Sequence, residues 1–169
     1  MQTFTSANTS INKGKVPAVF TKAWWKKGTV NLDLGGGKYD TATEYLHARE
    51  VANLVWDPYN RSEAENLSVM CILASRGGAD SCTISNVLNV IDSAEARHEL
   101  LNRAWDCTRY RAPIFITVYE GDRSGVGRQT GKDQWQNNRP LRDYLDEVKA
   151  VFPNATILKG MIVANHQNW

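Results

Sequence analysis

Apolar and polar positions along this chain switch repeatedly between short continuous apolar runs and stretches with helical spacing. Thr29 to Asp33 is a run of the first kind and predicts a short buried strand. Gly35, Gly36 and Gly37 follow it, and then "TATEYLHA" starts a helix. Val51 to Trp56 is a second strand, ended by "DPYN", a turn signature with proline after aspartate. Ser62 and Glu65 have capping-box spacing, and Leu67, Met70, Cys71 and Ala74 then recur at i, i+3, i+4 and i+7, one apolar helix face. "RGGAD" closes that helix and "SCTIS" is a third strand. Asp92 and Glu95 repeat the capping-box spacing before a helix buried through Leu100, Leu101, Ala104 and Trp105. Pro113 to Tyr119 is continuously apolar, as in strands covered on both faces. About 20 polar residues come next, then a helix from roughly Leu141 to Phe152 and short strands around Thr156–Leu158 and Met161–Val163.

Strands alternating with helices predict an α/β fold, one mainly parallel sheet with right-handed crossovers and helices on both faces. Residues 1–27 read as a basic, weakly ordered arm whose apolar clusters, Ala18 to Phe20 and Ala23 to Trp25, fold back onto a domain spanning 28–169. There is no internal repeat and no low-complexity segment.

At 169 residues, 42% apolar and 22% charged, the chain has room for one ordinary hydrophobic core. No apolar run approaches the roughly 18 residues that span a bilayer, and "MQTFTSANTSINKGKVPAVF" lacks the apolar segment of a signal peptide. Cys71, Cys82 and Cys107 lack metal-ligand spacing and read as reduced core thiols, so the expected compartment is the cytoplasm. His47, His98 and His166 form no pair with ligand spacing, and no metal is expected. The net charge of +2 is unevenly spread: five lysines and no acid precede Asp33. A basic arm of this kind either contacts phosphates or stays solvated.

The three glycines pose the functional question. They are either a flexible turn or a backbone that a ligand approaches closely, at the strand end where open parallel sheets bind ligands. Asp57, 20 positions beyond Gly37, stands where a second strand presents an acid to a ribose. A dinucleotide fingerprint would need glycine at position 40, which is Asp40, and no P-loop is present, so a nicotinamide dehydrogenase is a weak reading. Asp33, two residues before the first glycine, suits a ligand presenting an ammonium.

"LDLGGG" with "VWDPYN" resembles the first two motifs of the class I S-adenosylmethionine-dependent methyltransferases, a Rossmann-like fold. "TISNVLNVIDSAEARHELLNRAW" is similar to their fourth-strand region, most closely in small bacterial and phage methyltransferase-like proteins, including those associated with DNA phosphorothioation. The resemblance covers about Val30 to Tyr119. It implies S-adenosylmethionine as cofactor, with Asp33, Gly35, Gly36 and Gly37 along its methionine portion, Asp57 on the ribose and Pro58 and Tyr59 beside the adenine. Asn86 would lie near the reacting centre. Two departures stand out: Tyr39 replaces a frequent third glycine, and one helix separates the second strand from "SCTIS", so the usual third strand is missing.

The turn Ser85-Asn86-Val87-Leu88 lacks the prolines and aromatic of the adenine-N6 enzymes, and no Pro-Cys pair offers a cytosine nucleophile. The polar stretch at 120–140 is then the expected substrate wall, with Tyr119, Glu120 and Asp122 as base or orienter and Trp135 stacking on a planar acceptor. Alternatively Glu120 and Asp122 pair with nearby arginines and Trp135 pins the loop. The basic arm and the cations Arg123, Arg128, Lys132, Arg139 and Arg142 suggest an anionic acceptor, nucleic acid or a nucleotide. The competing class is a protein that binds or consumes S-adenosylmethionine without methylating, or a regulatory module that kept the fold.

Overall fold

In the computed structural model, which describes residues 1–9 and 13–167, strand β1 (Val30–Leu34) is buried along its whole length and ends at the glycines. Helix α1 (Ala18–Lys22) precedes it, and α2 (Thr41–His47) leads to β2 (Ala52–Trp56). Helix α3 (Glu63–Arg76) connects to β3 (Ser81–Ser85), and α4 (Ala94–Asp106) to β4 (Pro113–Thr117). A hairpin of β5 (Arg128–Gly131) and β6 (Gln134–Gln136) interrupts the polar stretch. Helix α5 (Leu145–Lys149), continuing a 3₁₀ turn at Leu141–Tyr144, leads to β7 (Thr156–Leu158) and β8 (Met161–Asn165).

The main sheet runs β2-β1-β3-β4-β8-β7. Its first four strands are parallel, while β8 is antiparallel to β4 and β7 to β8. Among the described residues no strand flanks β2 on its outer side, which matches the expected gap at the third strand. Side chains alternate across the sheet. Leu32, Leu34, Cys82, Ile84, Ile114 and Ile116 meet Val69 and Leu73 of α3, Leu101 and Ala104 of α4, and Tyr144 and Val148. On the other face Phe115, Met161 and Val163 pack with Val19 and Phe20 of α1 and with Ala42 and Leu46 of α2. Each fully buried large side chain contributes about 1.5–3 kcal/mol.

Three expectations shift. On α3 the inward stripe is Asn66, Val69, Met70 and Leu73; Leu67 is 62% exposed and Cys71 is a surface thiol. Asn66 turns inward because its amide clamps Asp57, accepting from Asp57 N and donating to Asp57 O, both at 2.9 Å. At α4 the cap is Ser93, whose Oγ accepts from Ala96 N. Asp92 binds elsewhere, accepting from Thr3 N through both carboxylate oxygens at 3.0 and 3.1 Å.

The third shift concerns the N-terminal arm, whose described residues are docked. Thr5 N donates to Asp133 Oδ1 at 2.9 Å and Ser6 N to Asp133 O at 2.9 Å. Phe4 stacks on Trp135, with ring centroids 5.4 Å apart. Aromatic contact and backbone hydrogen bonds fasten this segment to the β5–β6 hairpin, so its polar composition marks a strap across the surface. Further along, Trp25 stacks on Phe20 and Trp24 meets Phe115 edge-on, the packing expected of the apolar clusters. No helix among the described residues is long and apolar enough to cross a membrane.

Candidate functional site

The glycine loop is shaped by the protein's own packing. Gly35 has φ +72° and Gly37 φ +75°, conformations that side chains disfavour. A Cβ on Gly35 would meet Val87 Cγ2 at 2.6 Å, and one on Gly36 would collide with Asp33 Oδ2 and Val55. Gly35 N donates to Trp56 O at 2.8 Å, which ties the loop to the end of β2.

Asp33 is buried beside that loop and accepts from Thr83 Oγ1 at 2.9 Å. Burial pushes its carboxyl up to about 6, against the lowering effect of hydrogen bonds from Thr83 and Asn53. It sits at the end of a buried polar ladder: Asn31 donates to Asn53 Oδ1 and Thr83 Oγ1, and Ser81 donates to Asn31.

Asp57 is also buried, and much of its carboxylate is already engaged. Oδ2 accepts from Gly37 N at 2.9 Å, while Oδ1 accepts from Tyr59 N and Asn60 N, each at 2.9 Å. A carboxylate offers about four acceptor directions. Asn60 Nδ2 also donates to both oxygens at 3.3 Å, so a ligand hydroxyl reaching Oδ2 would take the place of that long contact. Arg61 completes the clasp: its Nε donates to Gly37 O at 2.8 Å and its Nη2 pairs with Asp40 at 2.7 Å. An arginine four residues past an acid carries no motif, so sequence reading passes over it.

These groups border one cavity of about 300 Å³. Asp33, Gly35, Gly36, Gly37, Asp57, Pro58, Tyr59 and Asn86 all line it, as does Trp56. Asn86 stands just past β3 with φ +56°, its N–H donating to Thr117 O at 2.9 Å. The face of α4 supplies Ala96, Leu100 and Arg103. The roof is the N-terminal strap, through Gln2, Thr5, Ser6 and Ala7, together with Phe20 of α1.

Tyr119, Glu120 and Asp122 lie outside this cavity. Glu120 pairs with Arg123 at 2.6 Å and accepts from Leu141 N at 2.8 Å, a hydrogen bond that holds its carboxyl below the usual range. Asp122 pairs with Arg128 at 2.6 Å, and hydrogen bonds from Ser124 lower it likewise. Neither is tuned toward neutrality as a general base would be. Tyr119 is 65% exposed and borders, with Glu120 and Arg123, a separate shallow depression. The alternative reading of this stretch is the one realised: ion pairs with local arginines and a tryptophan that pins the loop. Arg139 is likewise paired, with Glu147.

Within the same stretch, "QNN" has a role that its composition hides. Asn89 donates to Gln136 at 3.0 Å, and Asn137 Nδ2 donates to Leu88 O and Ile91 O at 2.9 and 3.0 Å. Gln136 in turn donates to Tyr119 O at 2.8 Å. These buried amides fix the turn from Leu88 to Ile91, which carries part of the cavity wall.

No protein-family model and no curated protein sequence matches the chain. Among solved structures it resembles 1,6-didemethyltoxoflavin-N1-methyltransferase from Burkholderia thailandensis, with bound 1,6-didemethyltoxoflavin and S-adenosylhomocysteine. The TM-score is 0.60 at 17% identity, covering 84% of this chain and 72% of that one. PigF with S-adenosylhomocysteine gives 0.59 at 15% identity, over 88% of this chain and 54% of that one. The S-adenosylmethionine-dependent methyltransferase SibL gives 0.52 at 13% identity, over 89% and 52%. The fold is the one shared by class I methyltransferases. The chain spans about half the length of the latter two.

Proposed function

We propose that this chain transfers the methyl group of S-adenosylmethionine to a small, uncharged acceptor enclosed beneath the N-terminal strap. The observation that carries the reading is a single cavity uniting the glycine loop, Asp33 and Asp57 under a roof without charged side chains. The cavity fits such a cofactor on two counts. The buried carboxylate of Asp33 gains stabilisation from any positive charge set beside it, and the positive-φ glycines leave backbone rather than side chains at the cavity wall.

When bound, the cofactor supplies an electrophilic methyl on sulfur; the acceptor's lone pair forms the new bond as the carbon–sulfur bond breaks, and the electron pair stays on sulfur. The residues of this chain bind and align for that displacement, and alignment supplies much of the acceleration. Asp33 takes the cationic end and Asp57 one ribose hydroxyl. Asn86 and the strap enclose the acceptor. Gln2, Thr5, Ser6, Ala7 and Phe20 offer no base, so the carboxylate left to take the acceptor's proton, besides Asp33 and Asp57, is that of Glu99 on α4. The neighbour 1,6-didemethyltoxoflavin-N1-methyltransferase, solved with 1,6-didemethyltoxoflavin bound, supports this reading. Nucleic acid is disfavoured because Arg123, Arg128 and Arg139 are spent on internal carboxylates.

Calorimetric titration with S-adenosylhomocysteine, with NAD as control, tests the cofactor assignment. Micromolar binding of the first and none of the second is expected; no heat with S-adenosylhomocysteine overturns the reading. Binding without turnover across a panel of small heteroaromatic amines and phenols would favour the non-methylating alternative.

A further inference from the structure

We infer that two copies of this chain associate edge to edge through β2, about a two-fold axis at Leu54, so that their main sheets run on as one. The inference does not depend on the cofactor reading above. Strand β2 closes one end of the sheet, and among the described residues no strand covers its outer side. Ala52 N donates to Thr29 O at 3.0 Å and Trp56 O accepts from Gly35 N at 2.8 Å, so the even-numbered residues face β1. Asn53 and Val55, of opposite parity, turn their amides and carbonyls outward. An open edge invites further pairing unless it is short, charged, bulged or interrupted by proline. "ANLVW" has none of these guards: it pairs with β1 in unbroken register, with Ala52 exposed and the other four residues half-buried. The opposite edge, β7, also exposes Ile157 and Leu158, but it has only three residues and Lys159 follows them.

The occupant is a second copy because this edge complements itself. In an antiparallel pairing centred on Leu54, Asn53 stands opposite Val55 of the other copy. That is a hydrogen-bonded pair, which exchanges two N–H···O bonds, and the symmetry supplies it twice. The axis stands perpendicular to the sheet, so α3 of both copies lies on one face, antiparallel. Helix α3 packs over β2, where Leu54 and Trp56 join the cluster that holds Val69 and Leu73. Its outer surface departs from that of an ordinary exposed helix, since no residue between Glu65 and Arg76 is charged and Leu67, Cys71, Ile72 and Ala74 are all exposed. Charge stands only at its ends, Glu63 and Glu65 in the first turn and Arg76 in the last. Antiparallel packing brings the acidic end of each helix to the basic end of the other and opposes their dipoles. A strand edge of about 17 Å beside a helix of about 21 Å makes a narrow strip of two layers. Such a strip is at the small end of specific interfaces, so the dimer is expected to be weak.

Sedimentation of the full chain from about 10 μM to about 1 mM tests this, with hydrogen exchange read at both ends of the range. A monomer–dimer equilibrium is expected, with the Asn53 and Val55 amides protected in concentrated samples and exchanging freely in dilute ones. Val55→Pro removes one outward N–H from each copy, at a position where edge strands tolerate proline, and is expected to weaken the dimer about tenfold. Ile72→Lys changes an exposed helix residue and guards against a folding defect in the strand variant. It puts charge on the uncharged face of α3 and is expected to weaken the dimer by a similar factor. Ile157→Lys on β7 is the control and leaves the equilibrium unchanged. A chain that stays monomeric throughout the range overturns the proposal. So does a dimer that survives both Val55→Pro and Ile72→Lys, or one that Ile157→Lys abolishes.

Discussion

Asp33 and Asp57 are both buried carboxylates at strand ends, yet their surroundings give them different work. Asp57 accepts three backbone N–H groups from two loops and holds the glycine turn to the "DPYN" turn. Asp57→Ala is therefore expected to destabilise the ligand-free chain by about 2–3 kcal/mol, read from urea midpoints, because hydrogen bonds to a charged group are the costly ones to lose. Unchanged stability would confine Asp57 to ligand contact. Asp33 has fewer compensating donors, so its carboxyl titrates near 6, above the ordinary 3.8. The folded chain then holds that proton between about pH 4 and 6 while the unfolded chain releases it, and this residue's contribution to stability falls as pH rises through 6. A cationic ligand needs the ionised form. Affinity for S-adenosylhomocysteine is expected to drop roughly tenfold for each pH unit below about 6, and Asp33→Asn to bind weakly with no such slope. A wild-type affinity that stays flat from pH 7 to 5 would detach Asp33 from the ligand.

The N-terminal strap shows how an element can be misread when its partners are far along the chain. Ser, Thr, Asn and Lys dominate it, and nothing local says that Phe4 stacks on Trp135 or that Asp92 and Asp133 wait for its amides. Aromatic stacking is worth about 0.5–1.5 kcal/mol beyond area burial. Phe4→Ala should speed hydrogen exchange at Thr3, Thr5 and Ser6 about tenfold by easing local opening, and should slow methyl transfer with little change in S-adenosylhomocysteine affinity. Exchange at the wild-type rate would mean that the carboxylates alone hold the strap. The same distance problem explains the other misreadings. The capping box of α3 was legible because it is local, and the structure has it, with Ser62 N and Glu65 Oε2 at 2.8 Å. The buried stripe of α3 was not, since the inward Asn66 answers to Asp57 nine residues away and breaks the apolar pattern. The strands of the main sheet and the glycine loop were visible in the pattern, the missing strand only beside the family resemblance, and the β5–β6 hairpin was hidden in a polar stretch. The roof of the cavity and the Arg61 clasp depend on contacts between separate elements, which periodicity does not encode.

At the scale of the molecule, α4 and α5 are tied together by an ionic cluster. Arg97 of α4, its side chain only 7% exposed, pairs with Glu147 of α5 at 2.7 Å, and Arg139 reaches the same carboxylate at 2.6 Å. Burial alone would raise the Glu147 carboxyl, but hydrogen bonds and charge from Arg97 and Arg139 outweigh it and hold it below the ordinary 4.5. Its stabilisation is thus complete above the unfolded value and is lost as pH falls through the lower folded one. Asp33 runs the other way, gaining between pH 6 and 4, so the two effects separate in pH. Glu147→Gln strands the buried Arg97 guanidinium and is expected to cost about 3 kcal/mol at pH 7, toward the low end for a broken buried pair because Glu147 keeps some contact with water. The difference from wild type should persist to pH 5 and close progressively below about 4, where the wild-type carboxylate is itself protonated. Urea midpoints at pH 7, 5 and 3.5 decide it: a gap that survives at pH 3.5 would assign the loss to packing rather than charge. Replacing Arg97 and Glu147 together by Met and Leu is expected to recover most of the stability, since the pair's removal takes its desolvation cost with it.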